Sequence, residues 1–360
     1  MSPSRRDFLA SSLAFAALRP AGPALGGEGR GHVPWLAEVQ RPPAKLPPDA
    51  PSLPPLLPGG GVATLEAWKA RRAELRKAWL DFLGTLDGPP PEPRLTVLDE
   101  DRPRGCVRQL VRYETEPGLP VEAYLLKPAE GEGQCPGVVA FHATTGHTIR
   151  VPAGLAGGAE RHCGPKLARG GVVTLCPKNF LWVGEGGYKR AVARFQERHP
   201  GARGMAKMLW DAQRAVDVLA AVPQVDGRRL GAVGHSLGGK EVLYLAAFDQ
   251  RVRTAVSSEG GVGIAFSNWD APWYLGEGVH EQGFARRHHE LLALVAPRAF
   301  LLLGGDAADG ARSWPYVEAA LRIYRLYGGT PRIGLYRHGK GHSIPPEAER
   351  RLHQWLQATL

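Results

Sequence analysis

Leu230-Gly231-Ala232-Val233-Gly234-His235-Ser236-Leu237-Gly238-Gly239 reads as a buried strand that turns sharply into a helix, with a serine at the turn. The apolar run 230–233 suits a strand covered on both faces. A serine hydroxyl is a poor nucleophile unless its oxygen is exposed and a base takes its proton. A tight strand-to-helix turn supplies the exposure, provided small residues two positions to either side avoid a backbone clash. Gly234 and Gly238 hold those positions. Ser236 is therefore the candidate nucleophile, and the amide of Leu237 is a candidate donor to a developing oxyanion.

The alternation of strand and helix extends in both directions from this turn. Short apolar runs at 138–141, 172–175, 252–256, 299–303 and 333–336 read as further strands buried on both faces. Ahead of them, 106–113 and 121–126 read as a strand pair joined at Pro117-Gly118. Helical spacing recurs at 160–169, 205–222, 238–248, 315–327 and 346–358. The pattern predicts an α/β fold with a mostly parallel central sheet of about eight strands, flanked by helices. An N-terminal helix is expected over 64–85. Leu65, Trp68, Leu75, Trp79, Phe82 and Leu83 share one face there, and Gly84 suits its end. The irregular stretch 260–290 interrupts the rhythm and carries Phe266, Trp269, Trp273 and Tyr274. Long loops in compact domains are often functional, so this one reads as a lid or platform, with Trp269 and Trp273 as candidate substrate contacts.

In this chain order the base should be a histidine after the last strand. His338-Gly339-Lys340-Gly341-His342-Ser343 offers two. His342, in the loop before the terminal helix, is the candidate base, whereas His338 sits at the strand end as a structural residue. Three acids could orient His342: Asp306 and Asp309 after the strand 299–303, and Glu259 directly after the strand 252–256. The turn His142-Ala143-Thr144-Thr145-Gly146 should supply the second oxyanion donor, the Thr144 amide. No Cys/His cluster has the spacing of a metal site, and the chemistry requires no cofactor.

The first residues differ in kind. Ser4-Arg5-Arg6-Asp7-Phe8-Leu9, an apolar run to Leu18 and then small residues describe a twin-arginine export signal over 1–26, cleaved between Ala21 and Gly27. The run falls short of the roughly 20 apolar residues a membrane span needs, so stable membrane insertion is not expected. The expected location is periplasmic or extracellular. The Pro/Gly-rich segment 27–63 is a linker or extended chain lying on the domain surface, and 64–360 forms the globular domain. The formal charge of +10 becomes about +8 once Arg5, Arg6, Asp7 and Arg19 are removed. Basic residues are interleaved with acids, as in Arg71-Arg72-Ala73-Glu74, rather than gathered in a stripe, which argues against a nucleic-acid partner. Cys106, Cys135, Cys163 and Cys176 allow three disulfide pairings in an oxidising compartment, or four free thiols.

Over residues 64–358 these features resemble the α/β-hydrolase superfamily, in the branch of dienelactone-hydrolase-like proteins, acetyl xylan esterases and glucuronoyl esterases. Ser236 stands where dienelactone hydrolases carry cysteine, which points to the esterase side. Lys240, Ala247-Phe248-Asp249-Gln250-Arg251 and Glu259 fall at the offsets glucuronoyl esterases use, and there the glutamate is the catalytic acid. The stretch from His289 to Arg298 is similar to the segment those enzymes place before their seventh strand. The resemblance implies a sugar-hydroxyl contact for Lys240, set against an ordinary solvated helix lysine. Those esterases have Arg directly after the nucleophile; Leu237 departs from that pattern and argues against glucuronate-ester specificity. The expectation is a secreted serine carboxylesterase for a small ester or carbohydrate ester, acetyl xylan esterase-like. Two other readings stay open: a serine peptidase of prolyl-oligopeptidase type, and a catalytically silent hydrolase-fold binding protein. The first lacks room for a propeller, because the first expected strand already begins at Cys106. Nothing in the sequence sets an oligomeric state.

Overall fold

The computed structural model describes residues 31–57, 63–86, 88–130, 133–281 and 283–360, so the twin-arginine segment 1–26 lies outside the described residues. Among these, nine strands form one sheet: β1 (Thr96–Asp101), β2 (Cys106–Glu116), β3 (Leu119–Pro128), β4 (Cys135–Phe141), β5 (Val173–Pro177), β6 (Val225–His235), β7 (Val252–Ser258), β8 (Ala299–Gly304) and β9 (Ile333–Arg337). Their order is β1-β2-β3-β5-β4-β6-β7-β8-β9. β1, β2 and β3 make an antiparallel meander that joins β5 antiparallel. From β5 through β4 to β9 every pairing is parallel. This is the α/β-hydrolase fold, with β1 in excess of the eight strands expected. β1 escapes a burial pattern because it is exposed along its whole length and ends in Asp99-Glu100-Asp101.

The described helices are α1 (Leu36–Val39), α2 (Leu65–Leu83), α3 (Cys163–Arg169), α4 (Gly187–Arg198), α5 (Gly204–Ala220), α6 (Leu237–Phe248), α7 (Pro272–Leu275), α8 (His288–Val295), α9 (Trp314–Arg325) and α10 (Pro346–Thr359). α4 and α8 were not expected from spacing. α4 buries only Ala191 and Phe195, so its apolar stripe is thin. In α8 every residue is buried, so no polar face sets a period. α2 keeps its expected face: Trp68, Leu75, Trp79 and Leu83 are buried, the Thr64 hydroxyl accepts from the Ala67 amide, and Gly84 ends the helix at φ +81°. Trp79 Nε1 donates to Glu290 Oε2 at 2.6 Å, which fastens α2 to α8. None of these helices is long and apolar enough to cross a membrane.

Of the two readings for the segment before α2, the described part lies on the domain. Val33, Val39 and Leu56 are buried, and Gln40 Nε2 donates to the carbonyls of Pro331 (2.7 Å) and Ile333 (3.0 Å) beside β9.

The connections decide where a site can lie. From β4 the chain crosses through α3 to β5 on one side, then returns through α4 and α5 to β6 on the other. Ligands in open α/β sheets bind outside the carboxyl ends of strands at such a reversal. Here that crevice lies at the ends of β4 and β6.

Candidate active site

β6 delivers the serine. Ser236, at the junction with α6, has φ +58° and ψ −118°, a region costly for any residue with a side chain. Its amide donates to Ser258 O of β7 at 2.8 Å, and its carbonyl accepts from the Lys240 amide at 3.1 Å, so the turn is fixed from both sides. Its side chain does not cap α6, which leaves the hydroxyl free of the helix. A Cβ on Gly234 would lie 2.3 Å from the Gly238 backbone, and one on Gly238 would lie 2.5 Å from Phe141 O. Neither contact is tolerable, so glycine is what lets the elbow close and lets β4 approach it.

The candidate acid and base follow β7 and β9. Glu259 directly follows β7, also at positive φ (+50°), and is 1% exposed. Its carboxylate accepts from the amides of Gly305, Ala308 (2.7 Å) and Asp309 (3.4 Å), and lies 3.3 Å from His342 Nδ1. Burial penalises its charge, but His342 and the Ala308 and Gly305 amides outweigh that and hold the carboxyl below its ordinary value. A carboxylate on Nδ1 fixes the imidazole with its proton there and leaves Nε2 as the basic nitrogen. His342 is partly exposed, and its ring centroid is 4.7 Å from that of His235, the residue before the serine. Ser236, Glu259 and His342 thus gather at one end of the sheet.

Of the other two acids, Asp309 is engaged elsewhere and Asp306 points no hydrogen bond at His342. Asp309, 1% exposed, accepts from the amides of Gly261 (2.7 Å) and Val262 (2.8 Å) and from the Ser313 hydroxyl (2.9 Å). It pins the loop after Glu259 and does not reach His342. Asp306 is exposed in a left-handed turn at φ +72°. His338 is partly buried, with Nδ1 accepting from the Lys340 amide.

The oxyanion side is built on β4. Phe141 pairs with Gly234, so the turn His142-Ala143-Thr144 stands level with the elbow. Thr144 is exposed in that turn, while Leu237 is 1% exposed and offers its amide at the start of α6. His142, buried, is held by two hydrogen bonds and meets Trp182 edge-on at 5.1 Å. Neither His142 nor its partner Asn179 stood out in the sequence, because a lone polar residue after an apolar run carries no periodic signal. The partly exposed Trp182 beside this turn was equally silent.

Two expectations about substrate contacts are corrected. Lys240 is neither solvated nor at a substrate surface: it is 2% exposed, donates to Gly260 O at 2.9 Å and sits 3.9 Å over the Trp269 ring. Burial pushes its ammonium down to about 7. Trp269 is fully buried, with Nε1 donating to Gly261 O at 2.9 Å, so it belongs to the core. Trp273 packs on Gly204 of α5 and against Tyr274 and Phe180. The stretch 260–290 is therefore a packed insertion rather than an open lid. Its aromatic rings face inward because Tyr244, His288 and Tyr316 offer them apolar or ring surfaces. All four cysteines are free thiols, Cys106 and Cys176 buried. Among the described residues no group of three His, Cys, Asp or Glu could hold a metal ion.

Comparison with known proteins agrees with this fold. Residues 121–270 match the dienelactone hydrolase family. YtaP of Bacillus subtilis (strain 168) is 28% identical over 79% of this chain and 100% of its own length. The 4-O-methyl-glucuronoyl methylesterase of Neurospora crassa is 22% identical over 81% of this chain and 76% of its own. A solved glucuronoyl esterase from Solibacter usitatus superposes with a TM-score of 0.70 at 21% identity, covering 88% of this chain and 100% of that one. With this sheet order the chain is a hydrolase of the α/β-hydrolase fold, and its residues 121–270 are similar to the dienelactone hydrolase family.

Proposed function

We propose that this chain is an exported serine carboxylesterase that hydrolyses a carbohydrate ester through Ser236, His342 and Glu259. One juxtaposition carries the reading: a conformationally strained serine elbow and a histidine anchored by a buried, amide-held carboxylate, at one strand-end crevice. Ser236 Oγ attacks the ester carbonyl carbon while His342 Nε2 takes its proton. Negative charge develops on the carbonyl oxygen, where the Leu237 and Thr144 amides meet it. His342 then returns the proton to the departing alkoxide, leaving an acyl-serine. Water, deprotonated by the same histidine, attacks that acyl group and releases the acid and free Ser236. Glu259 stabilises the imidazolium in both half-reactions.

The relative named as a 4-O-methyl-glucuronoyl methylesterase supports a sugar ester as substrate. The buried aliphatic side chain of Leu237 supplies no cation beside the oxyanion. We therefore favour an acetylated sugar over a uronate ester. Export rests on Arg5-Arg6 and the apolar run after them.

Hydrolysis of p-nitrophenyl acetate should fall at least about 10³-fold in Ser236→Ala and in His342→Ala. Activity retained in either variant would overturn the assignment. Fluorophosphonate labelling confined to Ser236 separates an enzyme from a silent binding protein. A panel of acetylated xylan, methyl glucuronate esters and aryl esters then ranks the substrates.

A further inference from the structure

We propose that Glu241, Asn179 and His142 form a strut that positions the oxyanion turn against the serine elbow, without touching substrate; this rests on the Ser236 esterase reading. Glu241 lies in α6, five residues past the serine, and is 3% exposed. Its Oε1 accepts from Asn179 Nδ2 at 3.0 Å. Asn179, 5% exposed, follows β5 and caps the short helical turn Phe180–Trp182, its Oδ1 accepting from the Leu181 amide at 3.0 Å. The Asn179 amide donates to His142 Nε2 at 3.1 Å, and His142 Nδ1 is 2.8 Å from Ala143 O.

The chain of bonds fixes one tautomer. A backbone amide can only donate, so Nε2 of His142 is unprotonated and Nδ1 carries the hydrogen given to Ala143 O. The carbonyl of Ala143 and the N–H of Thr144 belong to one planar trans peptide, in which they point in opposite directions. Holding Ala143 O toward His142 therefore aims the Thr144 N–H the other way, as an oxyanion donor. The elbow and the turn are thereby joined by side chains as well as by the Phe141–Gly234 strand pairing.

Two protonation states keep the strut consistent. Burial pushes His142 down to about 4, and burial, then Asp211, pushes the Glu241 carboxyl well above the usual carboxylate range. Burial thus disfavours the charged form of both groups. An ionised Glu241 would place negative charge behind the elbow, where the transition state also becomes negative.

The test uses p-nitrophenyl acetate with the full chain. Asn179→Ala and His142→Phe should each lower kcat by about 10- to 100-fold, with KM within threefold, because one oxyanion donor is mis-aimed rather than lost. The double variant should lose little more than either single one, since both act through one contact. Affinity for a trifluoromethyl ketone, which forms the tetrahedral adduct, should fall in proportion to kcat. Glu241→Gln should retain near-full activity, because its carbonyl still accepts from Asn179 and it cannot ionise; Glu241→Ala should resemble Asn179→Ala. Folded Asn179→Ala or His142→Phe with kcat within threefold of the parent, fully additive losses, or losses confined to KM would overturn the strut. If Asn179→Ala does not fold, His142→Phe and the Glu241→Gln against Glu241→Ala comparison decide the matter. Ser236→Ala in the same assay keeps the two ideas apart. Activity surviving there removes the esterase reading itself, whereas Ser236-dependent activity that is indifferent to Asn179 removes only the strut.

Discussion

Glu259 and Asp309 show what a single residue's surroundings decide. Both are buried carboxyls in stretches that follow strands, yet Glu259 is held below its ordinary value and Asp309 is pushed above it, chiefly by burial. The difference lies in partners: Glu259 faces His342, whereas Asp309 faces the amides of Gly261 and Val262. Glu259→Gln should therefore lower kcat by about 10³- to 10⁴-fold, as losing the imidazole's orienting carboxylate does elsewhere. Asp309→Asn should lower Tm instead, because Asn can answer only part of the two amides and one hydroxyl, and leave kcat within tenfold. Steady-state kinetics and calorimetry on both variants check this, and a larger kcat loss for Asp309→Asn would reverse the assignment. As candidates, Ser236 and His342 were legible because glycine spacing and chain order mark them. The choice among Glu259, Asp306 and Asp309 was not, since which carboxylate turns inward depends on amides contributed by residues some fifty positions away.

At the level of elements, the elbow works only because β4, β6 and α6 approach closely. Gly238→Ala would press a methyl group to 2.5 Å from Phe141 O and push the oxyanion turn away from Ser236. The expected result is a kcat loss of about 100-fold or more with a lower Tm, read from kinetics and thermal unfolding. A kcat unchanged from the parent would mean that the turn is not part of the machinery. The strands of the parallel block were readable because burial on both faces makes them continuous apolar runs. β1 and α4 were not, because exposed elements owe their conformation to neighbours rather than to their own pattern. Trp269 misleads for a related reason. An aromatic residue in a loop looks free until the loop folds back, and here a buried Lys240 covers its face.

Over the whole molecule, burial lowers several histidines, the largest shifts being those of His142 and His289, pushed down to about 4, and His235 and His288, pushed down to about 3. Unfolded, each would titrate near 6.5. Below that pH the unfolded chain takes up protons that the folded one refuses, so stability is lost as pH falls from about 6.5 toward 4, at about 1.4 kcal/mol per proton per pH unit. Buried carboxyls with raised values, such as Glu241 and Asp309, act in the opposite sense. The clean measurement is therefore a difference. His289→Gln, whose amide can still donate to Pro54 O as His289 Nε2 does at 3.0 Å, should show a shallower fall of Tm between pH 7 and 5 than the parent. Equal slopes would show that His289 does not titrate on unfolding in this range. The two margins of the sheet are guarded differently. β1 ends in three acids that repel a neighbouring copy, whereas β9 is covered by residues 31–57 through Gln40 and Val39. That N-terminal strip is thus a safeguard against self-association. A chain shortened to begin at Lys45 would bare the carbonyls of Pro331 and Ile333, and light scattering should find it clustering at concentrations where the longer chain stays dispersed.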